Sequence, residues 1–412
     1  MPPAAGQFAP APASPPIGLI DHWCLTRLSR ALWGAPVRVE LWNGMIATLG
    51  DAPPVATVFI KDRPTLMRLL VRPALAFGEA YVADRLRVDG DLVEMLAGVN
   101  HALAGRPYQH PWTGASGASA SDARENVHVH YDLGNDFYAL WLDGSMTYTC
   151  AYFERDDATL EEAQRVKLDY VCRKLRLRPG ETVIEAGCGW GALARHMARH
   201  YGVTVRAFNI SQAQLAYARE RTAREGLADR VTFVDADYRA IDGECDAFVS
   251  VGMLEHVGHD HYPLLGTVMN RVLHPDHGRG LVHFIGRNAP MEFNPWIARH
   301  IFPGAYAPAL SEVMPDVFEA HNFSVLDVEN LRRHYATTLR HWLDRFESHV
   351  TEIRGRFDDA FVRTWRLYLA SAQACFTSGD LQLFQIVFDR PASDRMPPTR
   401  QGLYGAGGDG RV

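Results

Sequence analysis

The stretch 181–193, Glu-Thr-Val-Ile-Glu-Ala-Gly-Cys-Gly-Trp-Gly-Ala-Leu, constrains this chain more than any other. The β-branched pair Val183 and Ile184 favours a short buried strand, which Glu185 closes with an acid. Gly187, Gly189 and Gly191 then crowd three glycines into five residues. Ordering glycine costs more backbone entropy than ordering any other residue, so a plain connection avoids such density. The pattern predicts a turn that brings backbone close to a ligand at the N-terminus of a following helix.

Two kinds of cofactor use such a turn. Gly187, Gly189 and Ala192 satisfy the G-x-G-x-x-G/A spacing of dinucleotide sites, whereas an acid followed by G-x-G-x-G is the form usual for S-adenosylmethionine (SAM). The deciding residue lies about 20 positions on, where a nicotinamide site places Asp or Glu on a ribose hydroxyl. The next strand, 203–210, ends Ala207-Phe208-Asn209, and no acid follows until Glu220. The nicotinamide alternative is therefore the weaker of the two.

At 412 residues the chain exceeds what one core usually fills, so two domains are expected. A net charge of −6 argues against nucleic-acid binding, which shows as a basic domain. The six cysteines, at 24, 150, 172, 188, 245 and 375, include no C-x-x-C pair. They predict reduced thiols in a cytoplasmic protein, with no metal centre. No basic segment followed by an apolar run opens the chain, and nowhere do about 18 apolar residues run together. Neither export nor a membrane span is expected.

Residues 1–16, rich in Pro and Ala, predict a disordered tail. Residues 17–104 predict a small α+β domain, with strands at 37–42 and 56–60, a turn at Asn43-Gly44, and a helix at 65–71 ended by Pro73. Its basic residues, among them Lys61, Arg63, Arg68, Arg72, Arg85 and Arg87, fit either a solvated face or a surface for lipid headgroups. A linker covers 105–121, where Gly114–Ser121 is a run of small residues with nothing to bury. Across 122–390, Thr159 and Glu162 have capping-box spacing, and strands at 203–210, 231–234, 247–251 and 280–285 alternate with helices. That alternation predicts an α/β, doubly wound, Rossmann-like sheet whose ligands lie beyond the strands' carboxyl ends. Residues 391–412 read as a flexible tail.

Six further stretches occur in order: His130-Tyr-Asp-Leu-Gly-Asn-Asp136, Tyr148-Thr-Cys-Ala-Tyr152, Ser250-Val-Gly-Met-Leu-Glu-His-Val-Gly258, His283-Phe-Ile-Gly286, Pro295-Trp-Ile297 with Ile301-Phe-Pro303, and His334-Tyr-Ala-Thr-Thr-Leu339. Over residues 37–390 the chain resembles the cyclopropane-fatty-acyl-phospholipid synthases, relatives of the mycolic acid cyclopropane synthases. The resemblance implies a class I SAM-dependent methyltransferase with a small lipid-binding N-terminal domain. Its product would be a cyclopropane ring on unsaturated phospholipid acyl chains or, alternatively, a methyl or methylene branch. The implied SAM site comprises Tyr148 and Thr149; Val183, Glu185, Gly187, Gly189, Trp190 and Gly191; Asn209, Ser211 and Gln214; and Tyr238 with Arg239. Bicarbonate, the family's general base, would be held by Cys150, Glu255, His283, Ile285 and Tyr335. Peripheral contact with the inner face of a phospholipid bilayer and a homodimer are also implied. Two positions depart from many relatives: Asn209 replaces Thr, and Ala372 replaces Cys, with Cys375 three residues away.

The implied reaction is attack by a cis alkene on a methyl sulfonium, then proton loss from a carbocation as the ring closes. An alkene gains nothing from deprotonation, so a protein contributes positioning, exclusion of water and stabilisation of the cation. Tyr148, Tyr152, Phe153, Trp296 and Phe302 offer aromatic faces for that purpose, and residues 287–310 read as a lid. The amides of Cys150 and Ile285, the His283 imidazole and the Tyr335 phenol would hold the anion, while Glu255 accepts its O–H. Plainer roles compete: Cys150 as a small buried hydrophobe, His283 and Tyr335 as satisfied interior residues, Glu255 at a helix start, and Gln214 in a capping box with Ser211. Leu66, Leu69, Leu70, Leu75 and Phe77, interleaved with Arg68 and Arg72, fit a membrane-facing surface or ordinary helix core.

Overall fold

The computed structural model describes residues 18–104 and 133–403. The expected tail 1–16, the linker 105–121 and His130 to Asp132 of the first motif lie outside the described residues. The chain divides into two compact units, 1–103 and 104–412.

In the N-terminal unit, a four-stranded sheet of order β2-β1-β3-β4 is built from β1 (Val37–Leu41), β2 (Ile46–Thr48), β3 (Ala56–Ile60) and β4 (Leu86–Gly90). β1 and β3 run parallel, and the other neighbours antiparallel. Alternate residues of β1 and β3 enter the core with Leu25, Leu28, Leu66 and Leu69 of the helices α1 (Leu19–Ala31) and α2 (Arg63–Val71). Asp21, buried in α1, accepts from Arg63 at 2.6 Å and from Asn43 at 3.1 Å, so it leaves water fully partnered. Asp62 caps α2 by accepting from the Thr65 amide at 2.8 Å. Pro73 does not simply end that helix: it occupies the first position of α3 (Pro73–Val82), where a missing N–H is harmless. Leu66 and Leu69 belong to the core, which decides for them between the two expected alternatives in favour of ordinary helix core. On these two helices the exposed large apolar residues are Leu19, Ile20 and Trp23 of α1 with Met67 and Val71 of α2.

The second unit carries a seven-stranded sheet of order β10-β11-β9-β8-β5-β6-β7. Its members are β5 (Thr182–Ala186), β6 (Thr204–Asn209), β7 (Val231–Asp235), β8 (Ala247–Val251), β9 (Arg279–Gly286), β10 (Ser324–Asn330) and β11 (Gln382–Asp389). The first five are parallel, as their alternation with helices requires; β11 runs antiparallel to both of its neighbours, so β10 at the edge points the same way as the five. Apolar clusters cover the sheet, one around Phe248, Leu265 and Phe284, another around Val183, Leu193 and Val205. Strand order reverses between β8, β5 and β6, which opens a crevice at their carboxyl ends. The helix Leu160–Leu175 starts with the expected box: Thr159 and Glu162 exchange side-chain to backbone bonds at 2.9 and 3.2 Å.

The segment 391–403 is not a loose tail. Arg395 reaches Glu181 at 3.2 Å, Arg400 reaches Asp327 at 2.6 Å, and the Leu403 side chain is buried while its carbonyl accepts from Arg173 at 2.8 Å. Composition rich in Pro and Gly concealed these charged anchors.

Candidate active site

A cavity of about 160 Å³ occupies the crevice beyond β5, β6, β7 and β8. Among the residues expected there, Tyr148, Thr149, Glu185, Gly187, Gly189, Trp190, Asn209, Gln214, Tyr238 and Arg239 line it. Val183, Gly191 and Ser211 do not: Val183 packs in the core, and the other two stand at helix N-caps.

The glycine turn works by removing bulk. Gly187 and Gly191 have φ of +82° and +75°, and a Cβ on either would stand 2.9 Å from Met253 or 2.6 Å from the Phe233 ring. Gly189 faces open space. The amides of Gly187 and Cys188 both donate to the Phe208 carbonyl, at 2.9 and 3.1 Å, so this part of the turn contributes shape rather than donors. Asn209 turns inward, donating to the Gly189 carbonyl at 3.2 Å and to Gln214 at 2.8 Å. Gln214 thus faces the cavity with its side chain, while its amide completes the Ser211 cap at 3.4 Å.

Lys167 is a lining residue that the sequence reading passed over. It shares the buried face of its helix with Leu160, Ala163, Gln164, Leu168 and Val171, and polar residues at such positions are the signal. Lys167 donates to Thr149 Oγ1 at 2.7 Å, and Gln164 donates to the Thr149 carbonyl at 2.8 Å. Burial lowers the Lys167 ammonium to about 8 and raises the Glu185 carboxyl to about 8. One Glu185 oxygen, Oε2, is buried without a partner.

A second polar group adjoins this cavity. The segment that contributes Thr149 continues into Cys150, and the one that contributes His256 is preceded by Glu255. The Gly252 amide donates to the His283 carbonyl at 2.8 Å. Glu255 Oε1 accepts the Ile285 amide at 2.6 Å, and Oε2 is buried without a partner. Burial raises this carboxyl to about 7 and holds the His283 imidazole well below its usual range. Tyr335 sits on the helix Arg332–Ser348, its ring 4.6 Å from Phe376 and 5.9 Å from Trp342. One turn later on that helix, Thr338 accepts from the Ala151 amide at 3.0 Å, which ties the segment carrying Cys150 to the helix carrying Tyr335. The Cys150 thiol donates to the Ala151 carbonyl at 3.1 Å, and burial pushes its ionisation far up, so it stays a thiol.

Of the five aromatic candidates, two meet at this place. Tyr148 bonds Tyr368 hydroxyl to hydroxyl at 2.7 Å, and Phe302 lies 5.5 Å from the Tyr368 ring and 5.9 Å from His256. Tyr152 and Phe153 instead stack on His334 and His341, and Trp296 is buried against His300. The expected lid, 287–310, is seated by the Tyr306 amide donating to the Glu255 carbonyl at 2.8 Å and by the Arg287 amide donating to the Pro308 carbonyl at 2.9 Å.

The family model described as mycolic acid cyclopropane synthetase matches residues 118–386. The chain belongs to the mycolic acid cyclopropane synthetase family. A domain of unknown function, DUF7884, matches 25–103. The chain is 38% identical over 383 residues to a Pseudomonas putida protein named "Probable fatty acid methyltransferase", covering 90% of this chain and 96% of that one. It is 37% identical over 368 residues to the cyclopropane-fatty-acyl-phospholipid synthase of Escherichia coli K12, covering 86% and 93%. Against the solved structure of the mycolic acid cyclopropane synthase CmaA1 complexed with SAH and CTAB, the TM-score is 0.61 at 32% identity, over 65% of this chain and 98% of that one.

As a member of this family the chain is a SAM-dependent methyltransferase, and its cavity fits that cofactor. Glu185 Oε2, buried and unpartnered, suits the ammonium of an amino-acid moiety, and the space beside Gly189 admits a ligand where any side chain would intrude. Asn209 leaves no acid for a nicotinamide ribose.

The two glycines should separate fold from binding. Gly191→Ala combines left-handed strain with collision against Phe233 and should lower unfolding free energy by about 3 kcal/mol in urea titration. Gly189→Ala should cost about 1 kcal/mol yet weaken SAH binding in calorimetry, because its methyl enters the cavity.

Proposed function

We propose that this chain transfers one carbon from SAM to the cis double bond of an unsaturated phospholipid acyl chain and closes a cyclopropane ring. The supporting observation is a glycine-lined cofactor cavity whose lining residues Thr149 and His256 are followed and preceded in the chain by buried Cys150 and Glu255, the latter bonded to the Ile285 amide; His283 and Tyr335 complete the set by the resemblance. When bound, SAM supplies an electrophilic methyl on a cationic sulfur, and bicarbonate supplies a base for the proton released at ring closure.

The protein's own residues divide the remaining work. Tyr148 lines the cavity, with Tyr368 bonded to it and Phe302 packed on Tyr368; an aromatic face here would steady an adjacent carbocation by about 2 kcal/mol once water is excluded. The His283 imidazole and the Tyr335 hydroxyl donate to the small anion. Glu255 Oε2, left without a partner, accepts its O–H and so fixes which oxygens face the substrate. Ile285 acts at one remove: its amide is already committed to Glu255, which it orients. Cys150 contributes backbone, since its thiol neither ionises nor points away from Ala151.

A second function, branching of the acyl chain by methyl transfer, has specific support. The P. putida relative is named "Probable fatty acid methyltransferase", and the tuberculostearic acid methyltransferase UfaA1 of Mycobacterium tuberculosis is 32% identical over 406 residues, covering 93% of this chain and 94% of that one. Both outcomes share the cation and differ in the proton lost.

Access to lipid is assigned to the N-terminal unit. Leu19, Ile20, Trp23, Met67 and Val71 form exposed apolar surface on α1 and α2, with Arg27, Arg30, Arg68 and Arg72 exposed among them. Among the described residues no helix is long and apolar enough to cross a membrane. Such a surface fits peripheral contact with the anionic inner leaflet of a bilayer.

Because Oε1 is held by the Ile285 amide, protonation of Glu255 falls on Oε2 and turns the intended acceptor into a donor, so turnover at saturating cofactor should fall as pH drops through about 7. Glu255→Gln should abolish that limb and cut kcat about 100-fold with SAH affinity intact; unchanged turnover removes the role. Sedimentation with vesicles of anionic unsaturated phospholipid should weaken in Arg68→Glu with Arg72→Glu, and again in Trp23→Ser; equal sedimentation rejects the surface.

A further inference from the structure

Behind His283, away from the proposed reaction, runs a line of buried polar side chains that no role above explains. Lys174, on the helix Leu160–Leu175, donates to Glu329 on β10 at 2.5 Å and to Gln385 Oε1 on β11 at 2.8 Å. Gln385 Nε2 lies 2.9 Å from His283 Nδ1, directly across the β9–β11 ladder. Tyr170, one helical turn before Lys174, donates to the same Glu329 oxygen at 3.0 Å, and its ring supports the ammonium at 4.7 Å. Lys174, Gln385 and His283 are all essentially inaccessible to water. Burying an ammonium and a primary amide in the middle of a sheet carries a desolvation penalty that a Leu and a Val would not.

We infer that Lys174 and Gln385 are positioning residues for His283, holding the proton of its neutral ring on Nε2. The logic is a chain of donors. An ammonium has hydrogens and no lone pair, so the Gln385 atom facing it is the carbonyl oxygen. The other end of the amide is then NH2, which donates to Nδ1 and occupies that nitrogen's lone pair. A neutral imidazole with Nδ1 accepting carries its hydrogen on Nε2. Glu329 keeps the ammonium charged in place, and burial keeps the ring neutral. Lys174 therefore acts through Gln385, and Gln385 through His283, as outer partners do for metal-bound histidines.

This inference rests on His283 donating to an anion in the proposed function, but its test does not. In imidazole nitrogen NMR on histidine-labelled protein, with the His283 signal assigned by its loss in His283→Gln, the wild type should show the Nε2–H tautomer. Gln385→Glu, nearly isosteric, places a carboxylate against Nδ1 and should move the proton there. It should lower kcat by roughly 10- to 100-fold while KM for SAM holds. Lys174→Met frees the amide to flip and should yield a mixture of tautomers; if that variant fails to fold, Gln385→Glu alone decides. An Nδ1–H ring in the wild type, or an unchanged tautomer in Gln385→Glu, overturns the inference. A tautomer that shifts as described, in a protein whose His283→Gln variant keeps full turnover, supports the relay and refutes the proposed role of His283.

Discussion

Backbone that turns left-handed at the carboxyl edge of the sheet is the constraint on which the rest depends. Gly187 at the end of β5 and Gly252 at the end of β8 hold φ of +82° and +75°, a region that costs any other residue about 1–2 kcal/mol. Strand order reverses at this point, so the two chains diverge and leave a crevice. A Cβ at Gly187 would meet Met253 at 2.9 Å, and one at Gly252 would meet Thr149 at 3.1 Å. Both neighbours line the cavity, so the absent side chains are what keep its walls apart.

Into this apolar framework the chain inserts ionisable groups at a cost. Glu185, Glu255, Lys167 and Lys174 are all buried, and an isolated charge in such surroundings is strongly disfavoured. Two resolutions are visible. Lys174 is compensated by Glu329 and by the Gln385 carbonyl, which makes it a structural cation. Glu185 and Glu255 each retain an oxygen with no partner, so their compensation is incomplete without a ligand. Incomplete compensation of this kind belongs to sites rather than to cores.

Much of this was legible in the amino-acid sequence, for physical reasons. The glycine spacing, the Thr159–Glu162 cap and the β-branched runs are local signals, and the turn, helix start and five parallel strands they predict are present. β10 and β11 were hidden because strands formed from residues far apart leave no connection to read. The pinned segment 391–403 was hidden because ion pairs with Glu181 and Asp327 cannot be seen in composition. At the site, Glu255 and Ile285 were placed in one shell, but as separate ligands; the 2.6 Å bond between them makes one the support of the other. Lys167 and Lys174 were missed because a lysine at a buried helical position looks, in one dimension, like a break in the apolar stripe.

The central claim is that one carbon goes from a sulfonium to a lipid double bond and that the released proton leaves a closing ring. Expression in a bacterium lacking cyclopropane fatty acids, followed by mass spectrometry of its phospholipid acyl chains, tests it most directly. The account predicts loss of monounsaturated chains and appearance of chains one methylene heavier that resist hydrogenation as rings do. Heavier chains that are branched rather than cyclic, or no new chains at all beside normal SAH binding, would contradict it.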